Sequence, residues 1–319
     1  MNAYLRGIAA KQGGVVMRRQ ALDTGYTVEE VDYLVRKGEW VSLRRGAYVE
    51  RSVYEAMTAE QRHLARIHAV TRSLHKPAIV SHTSAVVLRD LPTHGLDLSE
   101  VHVTRRDLHS PRHEAGVHHH AGSLPVDDVE LVDGVATTSL ARTTLDTARM
   151  SDFESAVVVA DAAFHRDPAA HKLALEKLDT MRDWRGARNA GAVVEFADGR
   201  AESVGESLSR LRFREVGLPA PDLQRKIYAP NGALVGIADF LFEEHWTIGE
   251  FDGKGKYLRS WRPGEDAGDV VWREKQREDA LRELGYEVVR LIWADLYRPW
   301  VIEQRFRRAF ARAARLRRV

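Results

Sequence analysis

The chain has 319 residues, 44% of them hydrophobic, more than one simple core needs, which predicts two or three domains. Its 48 basic and 46 acidic side chains leave a formal charge of only +2, so any nucleic-acid surface must come from local clustering. Zero cysteines exclude disulfides and cysteine-based zinc sites; no run reaches the length of a membrane span, and Met1 to Gly7 lack the apolar core of a signal peptide, so a soluble cytoplasmic protein with no membrane partner is expected.

Residues 2–12 read as a helix, Arg18 to Asp23 as a short second one, and Thr27 to Lys37 as a third. The third opens on the capping box Thr27-x-x-Glu30, carries Val31, Leu34 and Val35 on its apolar side, and ends at Gly38. Trp40 to Val49 then alternates into a strand, a basic Arg44-Arg45-Gly46 turn and a returning strand. Three short helices followed by a basic hairpin make the winged helix-turn-helix pattern, in which the third helix enters the major groove and the wing touches the backbone. The stretch from Leu34 through Arg36-Lys37-Gly38 and Arg44-Arg45-Gly46 to Val49 resembles the N-terminal domain of AbiEi-type antitoxins, the DNA-binding partners in type IV toxin–antitoxin pairs. The resemblance implies double-stranded DNA and a cognate toxin as partners. Arg18, Arg19, Arg36, Lys37, Arg44 and Arg45 are the candidates for phosphate contact, with a salt-dependent affinity. Glu29, Glu30 and Asp32 at the start of the third helix would repel phosphate, which speaks against base readout through that end. A winged-helix protein-interaction module is the alternative.

Residues 53–195 carry few chemical signals. Residues 55–75 read as a helix with Leu64, Ile67, His68 and Val70, and Ser81 or Thr83 caps another reaching Leu88. Val101 to Val103 and Gly116 to His120 alternate like strands. His113, His118, His119 and His120 invite a metal, but His118 and His120 share a strand face without a fixed third ligand, so a solvated or phosphate-facing strand is expected rather than zinc. Ser139 to Ala148 and Phe153 to His165 make two helices, whose Asp146 and Asp161 are expected in surface or capping roles. The order Ser81-His82, Val101 to Thr104, Arg142 to Asp146 again resembles AbiEi-like actinobacterial proteins, to about residue 165. Further helix and a connection follow, with a boundary near residue 195.

Between Gly236 and Lys254 two short strands carry acids that strands normally avoid. Val235, Ile237, Asp239 and Leu241 share one face of the first strand, and Trp246, Ile248, Glu250 and Asp252 one face of the second. Asn231-Gly232 and Glu243-Glu244-His245 read as turns, so an antiparallel meander brings Asp239 and Glu250 within reach of each other. Clustered carboxylates need a cation or basic partners, and a hard ion such as Mg²⁺ suits them. The alternative is that the acids lie at strand ends, solvated or paired to arginines. Asp239, then Glu250-x-Asp252-x-Lys254, the helix from Trp272 to Leu281 and the strand from Tyr286 to Leu291 resemble the PD-(D/E)XK nuclease fold, more narrowly its very-short-patch-repair branch, over roughly residues 200–300.

That resemblance implies a restriction-endonuclease-like α/β/α domain in which Asp239 and Glu250 hold Mg²⁺ or Mn²⁺ and Asp252 supplements them. Asp252 occupies the family's lysine position, so Lys254 or Lys275 would supply the positive charge, or the site is inactive. Glu206 is the candidate for the acid that the family adds from a preceding helix, although Ser203-x-x-Glu206 is also a capping box with a purely local job. The polar loop from Lys254 to Pro263 would suit a DNA strand. The final helix has seven arginines from Arg305 onward, with Phe306, Phe310 and Leu316 as anchors, and either tracks phosphate or is a solvated face.

A multidomain α+β and α/β protein is expected: a winged helix-turn-helix over 1–52, a mixed α/β middle domain over 53–195 and a nuclease-like domain over 196–319. Two functions fit. One is a DNA-binding protein with a metal-dependent endonuclease domain in a defence or toxin–antitoxin setting; the other is an autoregulating antitoxin or repressor whose nuclease-like domain is degenerate.

Overall fold

The computed structural model describes residues 1–74, 76–253 and 267–317, with the side chains of 267–271 left aside. Contacts divide the chain into one unit of Met1–Ala163 and Asp167–Ala197 and another of Phe164–Arg166 and the residues from Asp198 onward.

The first unit begins with α1 (Ala3–Ala10), capped by Asn2, whose side chain accepts the Leu5 N–H at 2.8 Å. Then come β1 (Val15–Met17), α2 (Arg18–Asp23) and α3 (Val28–Arg36). The α3 capping box is made, with Glu30 accepting the Thr27 N–H at 2.8 Å and Thr27 Oγ1 accepting the Glu30 N–H at 3.2 Å. β2 (Trp40–Arg44) and β3 (Ala47–Glu50) form the hairpin, and β1 joins it in the order β1-β3-β2. β1 is absent from the sequence reading because three residues are too few to show a period. Ala47, Tyr48 and Val49 are all buried, although neighbours on a strand point opposite ways, because both faces of this sheet are covered. Val16 and Tyr48 pack with Leu5, Val31 and Trp40 on one side. Val15, Ala47 and Val49 pack with Ala65 and Ala69 on the other, from α5 (Ala59–Ser73), which follows α4 (Arg51–Ala56). The N-terminal module therefore shares a core with the segment behind it.

That segment contains β4 (Ile79–Val80), α6 (His82–Leu88), β5 (Val101–Arg105), β6 (Arg112–Glu114), β7 (Val117–Ala121), β8 (Val129–Val132) and β9 (Val135–Thr138), whose strands form a mixed sheet in the order β6-β7-β5-β4-β9-β8. Val101, Val103 and Val117 enter an apolar core with Ile67, Val80 and Leu88. Alternation then turns His102, Thr104, His118 and His120 to the opposite face. α7 (Leu140–Met150), α8 (Phe153–Arg166), α9 (Ala169–Thr180) and α10 (Ala187–Phe196) follow. Asp146 and Asp161, expected at the surface or at caps, are instead buried within α7 and α8. Asp146 can enter the interior because Arg142 Nε and Arg149 Nη1 donate to it at 2.8 and 3.2 Å.

The second unit holds α11 (Val204–Glu215), β10 (Asp222–Tyr228), β11 (Leu234–Phe242), β12 (Thr247–Phe251), α12 (Ala267–Glu283), β13 (Glu287–Leu291), α13 (Trp293–Leu296) and α14 (Pro299–Leu316). β10, β11 and β12 meander antiparallel, and β13 lies parallel to β12, a pairing that needs the crossover through α12. Phe240 and Phe242 meet Phe213 of α11 and Phe306 of α14, while Leu241 and Ile248 turn the other way to Leu281 of α12. Helices thus cover both faces of a mixed sheet. Gly205 permits the approach of α11 to β12, because a Cβ there would stand 2.0 Å from the Phe251 ring. Phe306 and Phe310 do anchor α14, but Leu316, the last residue of that helix and beyond its last buried position Ala313, is 67% exposed.

Candidate functional site

In the second unit one rung of the sheet carries the acids. The pairs Phe240–Gly249 and Leu241–Ile248 put Asp239 opposite Glu250; the same registers set Gln224 beside Asp239 and Arg290 beside Glu250. Both acids are only 8% exposed. Asp239 Oδ2 accepts the Phe251 N–H at 2.9 Å, and its Oδ1 lies 3.5 Å from Gln224 Nε2, which donates to Glu206 Oε2 at 2.9 Å. Glu206 also accepts from Ser203 Oγ at 2.8 Å and from the Glu202 N–H at 3.0 Å, while Ser203 Oγ accepts the Glu206 N–H at 3.2 Å, so Ser203 caps the helix but the returning bond goes to Glu202 instead of completing the capping box. Its local job and its link toward Asp239 coexist.

Glu250 is claimed by arginine. Arg277 Nη2 donates to its Oε1 at 2.6 Å, and Arg290 Nε stands 3.7 Å from Oε2, beyond hydrogen-bond reach. Glu274 binds both arginines, and Glu278 binds Arg290 at 2.9 Å. Glu274, Arg277, Glu278 and Leu281 recur at helical spacing, so one side of α12 sets alternating charges above its apolar contact with the sheet. Burial pushes the Glu250 carboxyl above its usual pKa, and Arg277 opposes that rise.

Of the other residues assigned to this site, Lys275 is exposed on α12, and Arg277 takes the place beside Glu250. Asp252 follows β12, its N–H donating to the Leu291 carbonyl at 2.7 Å. Lys254 and the loop to Pro263 lie outside the described residues. Mg²⁺ requires several oxygens in near-octahedral array. Here one Glu250 oxygen holds a guanidinium and one Asp239 oxygen a backbone N–H, and Asp239, Glu250, Asp252 and Glu206 form no group of three whose ligand atoms lie within 4.8 Å of one another. As arranged, a cation shared by Asp239 and Glu250 would have to displace the Arg277 guanidinium from Glu250. Gln224, Arg277 and Arg290 are the participants missed by sequence reading; the charged face of α12 was visible as a period, its target was not.

Two such groups do occur among the described residues of the first unit: His82, His102 and His120, and Glu100, His113 and His118. His118 and His120 fall in different groups, so no third ligand joins that pair; His120 instead converges with His82 and His102, which sequence reading did not connect. Parallel pairing of β5 with β7 sets His102 opposite His118, and α6 begins with His82.

The basic residues of the N-terminal module are sorted by the fold. Arg19, Arg36, Lys37 and Arg45 are exposed. Arg18 is half-buried, 2.8 Å from Asp32 and 3.3 Å from the Tyr48 hydroxyl; its hydrogen bond with Asp32 raises the guanidinium pKa and lowers that of the carboxyl. Asp32 is thus paired with Arg18, which offsets one of the three acids expected to repel phosphate, whereas the Glu30 capping bond to the Thr27 amide brings no cation. Glu29 stays exposed. Arg44 is half-buried, its Nη1 without a hydrogen-bond partner among the described residues, and burial lowers its pKa. Its neighbour Arg45 at the hairpin turn faces solvent instead.

Residues 5–51 match the family described as transcriptional regulator, AbiEi antitoxin. The chain opens with an AbiEi antitoxin regulator domain. All six candidate phosphate contacts of the AbiEi domain lie within the matched span, and the acid rung and the histidine groups lie outside it. Two uncharacterized proteins of Mycobacterium tuberculosis, from two strains, are each 30% identical to the chain over 186 residues, covering 58% of this chain. The alignment spans 65% of the length of these curated relatives. No described helix is long and apolar enough to cross a membrane.

Proposed function

We propose that the chain is a DNA-binding regulator of the antitoxin kind, with residues 1–52 acting as a winged helix-turn-helix, α3 toward the major groove and the β2–β3 hairpin as the wing. The match over residues 5–51 carries this reading, and solvent-facing Arg36, Lys37 and Arg45 on the same module supply its chemistry. Cations in solvent can release counterions from phosphate, whereas Arg18 is already committed to Asp32. A cognate toxin is the protein partner this reading implies. The second unit is then a PD-(D/E)XK-like scaffold whose acid rung serves the fold, with Glu250 neutralised by Arg277. The test is anisotropy of a labelled fragment of the protein's own promoter, titrated with the full chain at several salt concentrations. Binding that weakens with salt, and further in an Arg36→Ala/Arg45→Ala variant, supports the reading; equal binding by that variant sinks it.

One observation favours a second reading, a Mg²⁺- or Mn²⁺-dependent endonuclease: Asp239 faces Glu250 across β11 and β12. That activity requires the carboxylates to be released from Arg277 and the Phe251 amide. Supercoiled plasmid incubated with Mg²⁺, Mn²⁺ or EDTA decides it. Metal-dependent nicking that disappears in Asp239→Ala would replace the scaffold with an enzyme.

A further inference from the structure

The face of the six-stranded sheet opposite its apolar core is paved with imidazoles. His118 and His120 alternate onto this face of β7; His113 of β6 and His102 of β5 pair with His118 on either side, and His82 is the first residue of α6. The rings touch in series: His113 and His118 have centroids 4.0 Å apart, His118 and His120 3.9 Å, His120 and His82 3.7 Å. His102 Nδ1 stands 2.9 Å from His120 Nε2. That is the separation of an N–H···N hydrogen bond between two neutral rings, one nitrogen donating and the other accepting. Two nitrogens bound to one tetrahedral ion at about 2.0–2.1 Å are about 3.3 Å apart, so a small movement converts this contact into joint ligation.

The surroundings also suit a bound cation. His82 Nδ1 is 3.0 Å from Ser81 Oγ, which accepts from Thr104 Oγ1 at 2.8 Å, leaving His82 Nε2 as the ligand atom. An outer hydrogen bond of this kind orients a ligating histidine. His82 also holds φ at +51°, the left-handed region that a Cβ makes costly and that persists where surrounding structure enforces it. The site opens on a cavity of about 550 Å³ lined by Arg142, Asp146, Arg149 and Trp184. Those guanidiniums do not forbid a cation, because Asp128 and Asp146 already pair with Arg142 and Asp146 with Arg149.

We propose that His82, His102 and His120 form a binding site for a divalent transition metal ion of the Zn²⁺ type, three imidazole ligands with the remaining position open to the cavity. Imidazole sets suit Zn²⁺, Cu²⁺ and Ni²⁺, whereas Mg²⁺ prefers oxygen, so this site is chemically distinct from the acid rung. Three protein ligands and an open fourth position are the arrangement of zinc sites that hold water or an anion. Glu100, His113 and His118 form a neighbouring group, but Glu100 already binds His113 Nδ1 at 2.9 Å at the exposed edge, and the proposal does not use it.

The test uses the full chain, stripped with EDTA and titrated with Zn²⁺, or with Co²⁺ as a spectroscopic probe. One ion per chain retained through gel filtration, with the visible bands of nitrogen-ligated four- or five-coordinate Co²⁺, is expected. His102→Ala and His120→Gln are expected to weaken binding more than the roughly 10–100-fold that loss of an outer-shell partner costs, while His113→Ala and Glu250→Ala retain it. Circular dichroism and a melt confirm that each variant is folded, and the Co²⁺ spectrum of the unaltered chain decides the matter even where a variant is not. No retained ion in the unaltered chain, an ion surviving in folded His102→Ala, or loss in folded His113→Ala equal to that in His102→Ala each overturns the proposal.

Discussion

The N-terminal hairpin and helix and the C-terminal sheet carry comparable basic residues and use them differently. Arg36 and Arg45 stand in solvent, and exposed Lys37 touches Glu39 at 3.4 Å and the Tyr33 ring at 5.4 Å from its centroid. In the second unit Arg277 and Arg290 are held by Glu250, Glu274 and Glu278, Arg305 by Asp295, and Arg312 by Glu287. Arginine content alone therefore says little about nucleic acid. Cations already paired with carboxylates have little to gain from phosphate, whereas solvated ones exchange loosely held counterions for it. The same distinction divides the two candidate metal sites: the acid rung is neutralised from within, while the imidazoles carry no charge that needs neutralising.

Four substitutions or conditions can break or sharpen this contrast. The largest effect is expected from acid. Burial lowers the pKa of His63 and His68 to about 4, against 6.5 when unperturbed, so each adds stability that is complete above pH 6.5 and lost as pH falls through 4. Each contributes on the order of 3 kcal/mol. The raised pKa of Glu250 has the opposite sign, since the folded state then favours the protonated carboxyl and stability from this group falls as pH rises above 4.5. Hydrogen exchange at pH 7.5 and 5 should show the first unit losing protection around α5 while β12 keeps it; uniform loss would remove the contrast.

Glu250→Ala should cost about 1–3 kcal/mol in denaturant unfolding, because Arg277 loses one buried charged partner but keeps Glu274. Lys275→Ala, on the exposed side of the same helix, should stay within about 0.5 kcal/mol. Equal effects would mean that the Arg277 contact does not hold the rung. Gly205→Ala should cost about 1–3 kcal/mol by forcing a Cβ against the Phe251 ring, read as a lowered midpoint with unchanged slope. The smallest effect is on DNA. Arg45→Ala should lower the salt slope of promoter binding by about 1, and Arg44→Ala should leave it unchanged, because only Arg45 faces solvent. A reversed order would make the half-buried guanidinium the phosphate contact.

Local signals were legible wherever the responsible atoms are close in sequence. Thr27 and Glu30 form their capping box, Ser203 caps α11 through the Glu206 N–H, and the alternation from Leu234 to Phe251 became β11 and β12 with Asp239 opposite Glu250. Strand β1 escaped because three residues show no period, and the buried state of Asp146 escaped because its arginines, although only three and four residues away, matter only once α7 is enclosed. His102 and His82 could not be joined to His120 without knowing that β5 lies parallel to β7 and that α6 starts above them.

By itself the sequence determined the longer helices, the acid-bearing strands, several caps and turns, the resemblance of its first fifty residues to antitoxin regulators and the row on which the acids would stand, since each rests on hydrogen bonds and periods spanning a few residues. Only the tertiary structure decided which charges are spent and which are available: that Arg18 goes to Asp32, that Arg277 takes Glu250 and that three histidines from three segments converge. The strength of an electrostatic contact depends on separation and burial, and both are set by packing between elements that the sequence does not place side by side.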